Sequence, residues 1–201
     1  MDDPRVLPGG RDVRVTLDGD GSEALVVACP PHPQYGGDRH DARLRAVSDA
    51  LQEAGIDCLR IDYGPWDGGA GERTDAITAL EWAGEGYDRV GLFGYSFGGA
   101  IALLAAAAAP EGVAPRAVSA LAPAAQVGGD LDVVAAVSEI DAPLQIVYGE
   151  RDDTAEWKAV VDRARERDAS VESFPADHFF VGQQSRIGDL VADFFADELA
   201  E

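Results

Sequence analysis

The pentapeptide Gly94-Tyr95-Ser96-Phe97-Gly98 joins two segments of opposite character. Before it, Arg89-Val90-Gly91-Leu92-Phe93 is short, apolar and β-branched at Val90, and reads as a strand. After it, the alanine-rich run from Ala100 to Ala109 is a strong helix former, stopped by Pro110. A serine between glycines at a strand-to-helix corner has the pattern of a nucleophile elbow. So sharp a turn holds the serine in a strained backbone conformation, and a side chain at either glycine would strike neighbouring backbone. Gly99 and Ala100 continue the small-residue surface where the helix leaves the strand. The helix start then aims unpaired N–H groups toward Ser96, where negative charge would develop during acyl transfer.

The rest of the chain alternates strand and helix patterns. Val13, Val15 and Leu17 alternate with polar residues as an early strand. The segment from Asp18 to Glu23 lacks a full calcium-loop ligand pattern and is expected to be a hairpin turn into the strand Leu25 to Cys29. A helix follows with Leu44, Val47, Leu51 and Ala54 on one face, capped by Gly55. Next come a strand over 56–61 and a helix over 75–83, then the elbow strand and its helix. Beyond them lie a strand over 117–121, a short helix near 131–137 and a strand over 144–148. A helix over about 154–167, a strand near 171–174 and a last helix with Ile187, Leu190, Val191, Phe194 and Phe195 on one face complete the order. This predicts an α/β fold in one domain over 1–201, a mostly parallel, doubly wound sheet with helices on both faces. Too few residues separate the strands over 117–121 and 144–148 for a large cap domain. Ligands of such sheets bind beyond the carboxyl ends of the strands.

Composition narrows the partners. Against 37 acidic residues stand 16 basic ones, a net charge of −21, and Lys158 is the only lysine. Such a surface repels itself over a Debye length of ~10 Å at ordinary salt and ~3 Å at 1 M. The acidic residues are spread along every helix, the pattern of a salt-adapted (halophilic) protein, and nucleic acid is not an expected partner. The start, Met1-Asp2-Asp3-Pro4-Arg5, has no apolar signal core, and the longest apolar run is about half a membrane span. A soluble, cytoplasmic protein without membrane contact, monomeric or a small homo-oligomer, is expected. Cys29 and Cys58 read as buried small hydrophobes, with no metal-ligand spacing near them.

A serine nucleophile needs a base, and His32, His40 and His178 are the only histidines. In chains with this elbow the order is serine, acid, histidine, which selects His178, just after the last predicted strand. The acid should follow the strand over 144–148, where Glu150, Asp152 and Asp153 are available. Asp152 is the choice and Asp153 its competitor; a buried carboxylate there would fix the His178 tautomer. The oxyanion hole needs the Phe97 N–H and one from the loop Cys29-Pro30-Pro31-His32-Pro33-Gln34-Tyr35-Gly36-Gly37. The prolines have no N–H, leaving His32 and Gln34, with His32 preferred.

The elbow, Gly149-Glu150-Arg151-Asp152 and Ala176-Asp177-His178-Phe179-Phe180 together resemble the α/β-hydrolase superfamily over nearly the whole chain. More narrowly, Pro31-His32-Pro33-Gln34-Tyr35-Gly36-Gly37 resembles the corresponding loop of small, lidless, dienelactone-hydrolase-like serine hydrolases. The resemblance implies Ser96 as nucleophile, Asp152 as acid, His178 as base, and His32 and Phe97 as oxyanion donors. Pro30 stands where that loop has its first histidine. The arginine-bearing loop usual after the next strand reads Asp62-Tyr63-Gly64-Pro65-Trp66. Dienelactone hydrolases proper use cysteine where this chain has Ser96. The reaction implied is two-step acyl transfer on a small acyl substrate, with no metal or organic cofactor. Tyr35, Tyr63, Trp66 and Phe179 are candidate pocket walls. An acyltransferase or thioesterase on the same triad and a non-catalytic binding module are the alternatives.

Overall fold

Along the strand Ala24–Cys29 (β3), alternate side chains serve opposite faces: Leu25, Val27 and Cys29 join one hydrophobic cluster, and Ala24, Val26 and Ala28 the other. All six residues are buried, as expected where a parallel sheet is covered on both sides. A computed structural model describes residues 5–9 and 11–200; the acidic start Met1 to Pro4 lies outside the described residues. The elements are β1 (Arg5–Val6), β2 (Arg14–Asp18), β3 (Ala24–Cys29), α1 (Ala42–Glu53), β4 (Asp57–Asp62), α2 (Ala70–Gly84), β5 (Arg89–Tyr95) and α3 (Phe97–Ala108). Then come β6 (Ala117–Leu121), α4 (Val133–Glu139), β7 (Leu144–Gly149), α5 (Lys158–Glu166), β8 (Ser170–Phe174) and α6 (Gln184–Glu198). A short 3-10 turn, Pro33–Tyr35, lies between β3 and α1.

The eight strands form one sheet in the order β1-β2-β4-β3-β5-β6-β7-β8. From β4 to β8 all pairings are parallel, and β2 pairs antiparallel with both β1 and β4. Buried Leu44, Val47 and Leu51 of α1 meet Ile187, Val191 and Phe195 of α6 on one face. The buried faces of α2, α3, α4 and α5 form the core on the other. Only α4 and two short loops separate β6 from β7, so the carboxyl edge has no cap over it.

Several boundaries differ from the sequence expectation for physical reasons. β4 lies between β2 and β3, so the segment 18–23 is a crossing loop and not a hairpin turn. The buried Asp57 at the start of β4 holds it, accepting from the N–H groups of Gly21 and Ser22 at 3.2 Å each, while the Ser22 hydroxyl donates to the Gly55 carbonyl at 2.7 Å. α2 begins at Ala70, ahead of the expected 75, because the Glu72 carboxylate reaches back to the Gly69 N–H at 2.7 Å. α5 begins late, at Lys158, because the N–H groups of Thr154 and Ala155 turn toward Asp152 instead. Gly55, at φ 76°, ends α1 in the left-handed conformation.

Candidate active site

Ser96 stands between the end of β5 and the first residue of α3, at φ 58° and ψ −120°. A non-glycine residue there carries strain that only over-determining surroundings can hold. The two elbow glycines supply those surroundings. A Cβ on Gly94 would lie 2.0 Å from the Gly98 carbonyl oxygen, and one on Gly98 would lie 2.2 Å from that of Cys29. The second approach presses the start of α3 against the loop leaving β3. It brings the rings of Phe97 and His32 to 4.7 Å.

The Ser96 hydroxyl lies 2.8 Å from His178 Nε2, and His178 Nδ1 lies 2.7 Å from Asp152 Oδ2. The other Asp152 oxygen accepts from the N–H groups of Thr154 and Ala155 at 2.9 and 3.0 Å. Burial alone would raise this carboxyl's pKa. The His178 hydrogen bond and the two backbone N–H groups outweigh it, and the pKa lies below the ordinary value. Asp153, the competitor, is exposed. The buried Tyr95 hydroxyl, whose pKa burial pushes up to about 12, donates to the His178 carbonyl at 2.9 Å. Ser96, Asp152 and His178 therefore meet beyond the carboxyl ends of β5, β7 and β8.

In the proline-rich loop, the Gln34 N–H donates to His32 Nδ1 at 3.3 Å, so it is already engaged. The N–H of Phe97, first residue of α3, has no acceptor within its helix. Among the described residues the His32 N–H likewise has no acceptor within the protein. Burial among neighbouring rings lowers the His32 pKa, against the opposing pull of Glu72, which suits the neutral imidazole that accepts from Gln34. His40 lies outside the site.

A pocket of about 710 Å³ opens onto Ser96 and His178. Tyr35, Trp66 and Phe179 line it as expected from their aromatic character, Tyr35 being 88% exposed. Tyr63 does not line it. It is buried behind Phe97, edge-on to that ring at 5.8 Å, and its hydroxyl donates to the Pro30 carbonyl at 3.2 Å. Sequence reasoning missed Asp41 and Arg43, which also line the pocket, and Gln126 and Val127 from the loop after β6. The Arg43 guanidinium lies 4.6 Å over the Tyr95 ring and pairs with Asp41. Only the N-cap pattern at Asp41 marks this corner in the sequence, and it announces a helix start, not a pocket wall. Cys29 and Cys58 are buried free thiols, both pushed up to about 12 by burial.

A model of the dienelactone hydrolase family matches residues 66–200, two thirds of the chain, including Ser96, Asp152 and His178. The chain belongs to that family. A family member of this kind is a hydrolase. No curated protein matches the chain. Among solved structures, a lidless α/β serine hydrolase from Xanthomonas campestris is similar, with TM-score 0.82 and 24% identity over 99% of this chain and 95% of that one. Est1E from Butyrivibrio proteoclasticus is similar with TM-score 0.84 and 18% identity, covering 98% and 99%, and a second structure of Est1E holds ferulic acid. A dienelactone hydrolase from Anabaena variabilis gives TM-score 0.79 and 21% identity over 99% and 98%. These TM-scores show the shared α/β-hydrolase fold. No helix among the described residues is long and apolar enough to cross a membrane.

Proposed function

We propose that this family member is a serine esterase acting on small esters through Ser96, His178 and Asp152. The reading is carried by the hydrogen-bond chain from the Ser96 hydroxyl through His178 to Asp152, at 2.8 and 2.7 Å. His178 Nε2 takes the hydroxyl proton as Ser96 Oγ attacks the ester carbonyl. Asp152 keeps the His178 Nδ1 protonated and steadies the imidazolium that forms. The carbonyl oxygen becomes an oxyanion, received by the N–H groups of His32 and Phe97 at the start of α3. The intermediate collapses as His178 returns its proton to the leaving alcohol. Water, deprotonated by the same imidazole, then attacks the acyl-enzyme carbonyl; as the bond to Ser96 Oγ breaks, His178 returns that proton to Oγ and the acid leaves. The uncapped pocket admits small substrates directly, and the rings of His32, Trp66 and Phe97, within 5.6 Å of one another, suit an acyl group with a flat or apolar face.

The deciding experiment compares wild type and Ser96→Ala for labelling by a fluorophosphonate and for hydrolysis of p-nitrophenyl acetate and a feruloyl ester, in molar salt. Wild type should label and turn over, and Ser96→Ala should do neither. A folded wild-type protein that fails to label would overturn the proposal.

A further inference from the structure

The loop from Gly64 to Gly69 is pinned at both ends by carboxylates that chemistry does not use. Glu72, fully buried, accepts from the N–H groups of Asp67 at 2.8 Å and Gly69 at 2.7 Å. Asp75, 1% exposed, accepts from the Gly64 N–H at 2.9 Å and from Arg11 Nε at 2.7 Å. Arg11 then reaches past Asp75 and donates from Nη2 to the Pro65 carbonyl at 2.7 Å. Two glycines let Arg11 approach this closely, although its side chain stays 26% exposed. A Cβ on Gly71 would lie 2.2 Å from Arg11 Nη2, and one on Gly64 would lie 1.8 Å from the Arg11 carbonyl oxygen. Two buried carboxylates are costly to keep unless their lone pairs are filled, and here three backbone N–H donors and one guanidinium fill them. Together these contacts fix a stretch of irregular chain whose centre is Trp66.

Trp66 packs against the side-chain rings of both residues whose N–H groups are assigned to the oxyanion. Its ring lies 4.6 Å from the His32 ring and 5.6 Å from the Phe97 ring, and those two lie 4.7 Å apart. Three rings thus pack in a mutual triangle. Two of them belong to the residues whose backbone N–H groups would hold the oxyanion, and the third hangs from the pinned loop. We propose that this loop is a brace for the oxyanion hole, with Trp66 as its contact and Arg11 as the positioning residue that locks it. Such a role rests on the reading of His32 and Phe97 as oxyanion donors. An oxyanion donor is sensitive to position because the charge it meets exists only along the reaction, and displacement of about 1 Å can cost ~10²-fold in rate. Arg11 lines no part of the pocket, so it can act on the hole only through the loop.

The test uses p-nitrophenyl acetate turnover together with inhibition by phenylboronic acid. Ser96 Oγ adds to boron to form one O–B bond, its proton passes to His178, and no bond to boron breaks. The resulting tetrahedral boronate places an oxygen where the oxyanion would lie. Arg11→Met should lower kcat about tenfold and raise the boronic acid Ki by a similar factor, with KM changed less than about twofold. Arg11→Lys, which keeps one donor toward Asp75, should recover part of both losses. Trp66→Leu strands no buried charge, so it answers the question even if Arg11→Met does not fold, and it should show the same parallel loss in kcat and boronate affinity. Folded variants with wild-type kcat and Ki, or with a raised KM alone, would overturn the brace while leaving the triad reading intact. A wild type that neither turns over nor labels would remove both.

Discussion

The carboxylate of Asp152 has two oxygens with separate duties, one toward His178 Nδ1 and one toward the N–H groups of Thr154 and Ala155. Removing it should cost kcat ~10⁴-fold, against ~10⁶-fold for Ser96→Ala or His178→Ala, measured on p-nitrophenyl acetate. Asp153→Ala should leave kcat unchanged, since its side chain is exposed to solvent; the reverse order of the two aspartates would refute the assignment. The same residue makes a statement about acid. A carboxyl whose pKa is depressed by folding stabilises the native state above its unfolded value of ~3.9, and that contribution is lost as pH falls through the folded value. Melting temperature should therefore drop more steeply below about pH 4 in wild type than in Asp152→Asn. Parallel pH profiles would show that the hydrogen bonds to Asp152 do not favour its charged form.

At the scale of elements, the elbow is a contact between backbones. Gly98 lets the start of α3 approach the Cys29 and Pro30 carbonyls, where an alanine Cβ would sit 2.2 and 2.4 Å from the two oxygens. Gly98→Ala has no flexible side chain to displace, so β3 and α3 must part. We expect a loss of about 3 kcal/mol in unfolding free energy by denaturant titration, together with lost fluorophosphonate labelling. Full stability with full labelling would mean that the two elements can separate without disturbing Ser96. α5 shows the converse, an element shortened by the site. Its expected first turn is diverted so that Thr154 and Ala155 can serve Asp152, and the Trp157 indole N–H donates to the Asp152 carbonyl at 3.0 Å.

For the whole molecule, pairing of arginines leaves the net charge of −21 in place, because each pair removes one positive and one negative charge. Arg11, Arg39, Arg43 and Arg60 each hold an aspartate, and Arg89 holds Glu23. The carboxylates left over repel one another through solvent, and salt screens them over distances that shrink from ~10 Å at 0.1 M to ~3 Å at 1 M. The melting temperature should rise continuously between dilute and molar sodium chloride. Indifference to salt over that range would mean that the acidic surface serves solubility and not stability.

The elbow, the serine–acid–histidine order and the alternation of strands and helices were legible in the chain itself. They arise from steric and periodic rules that act within a few residues: glycines where backbones cross, period-two burial along β3, and small residues along α3. The site residues were legible only as types at the ends of strands. Tyr63 and Trp66 are near neighbours in one loop, yet one is buried behind Phe97 and the other faces the pocket. Arg43 has no local mark of its place beside Tyr95, and the segment 18–23 looks like a hairpin until β4 is inserted between its two strands. Such outcomes depend on strand order and on ångström-scale approach between segments tens of residues apart. Long-range packing alone decides them, because sequence spacing constrains distance along the chain and not distance in space.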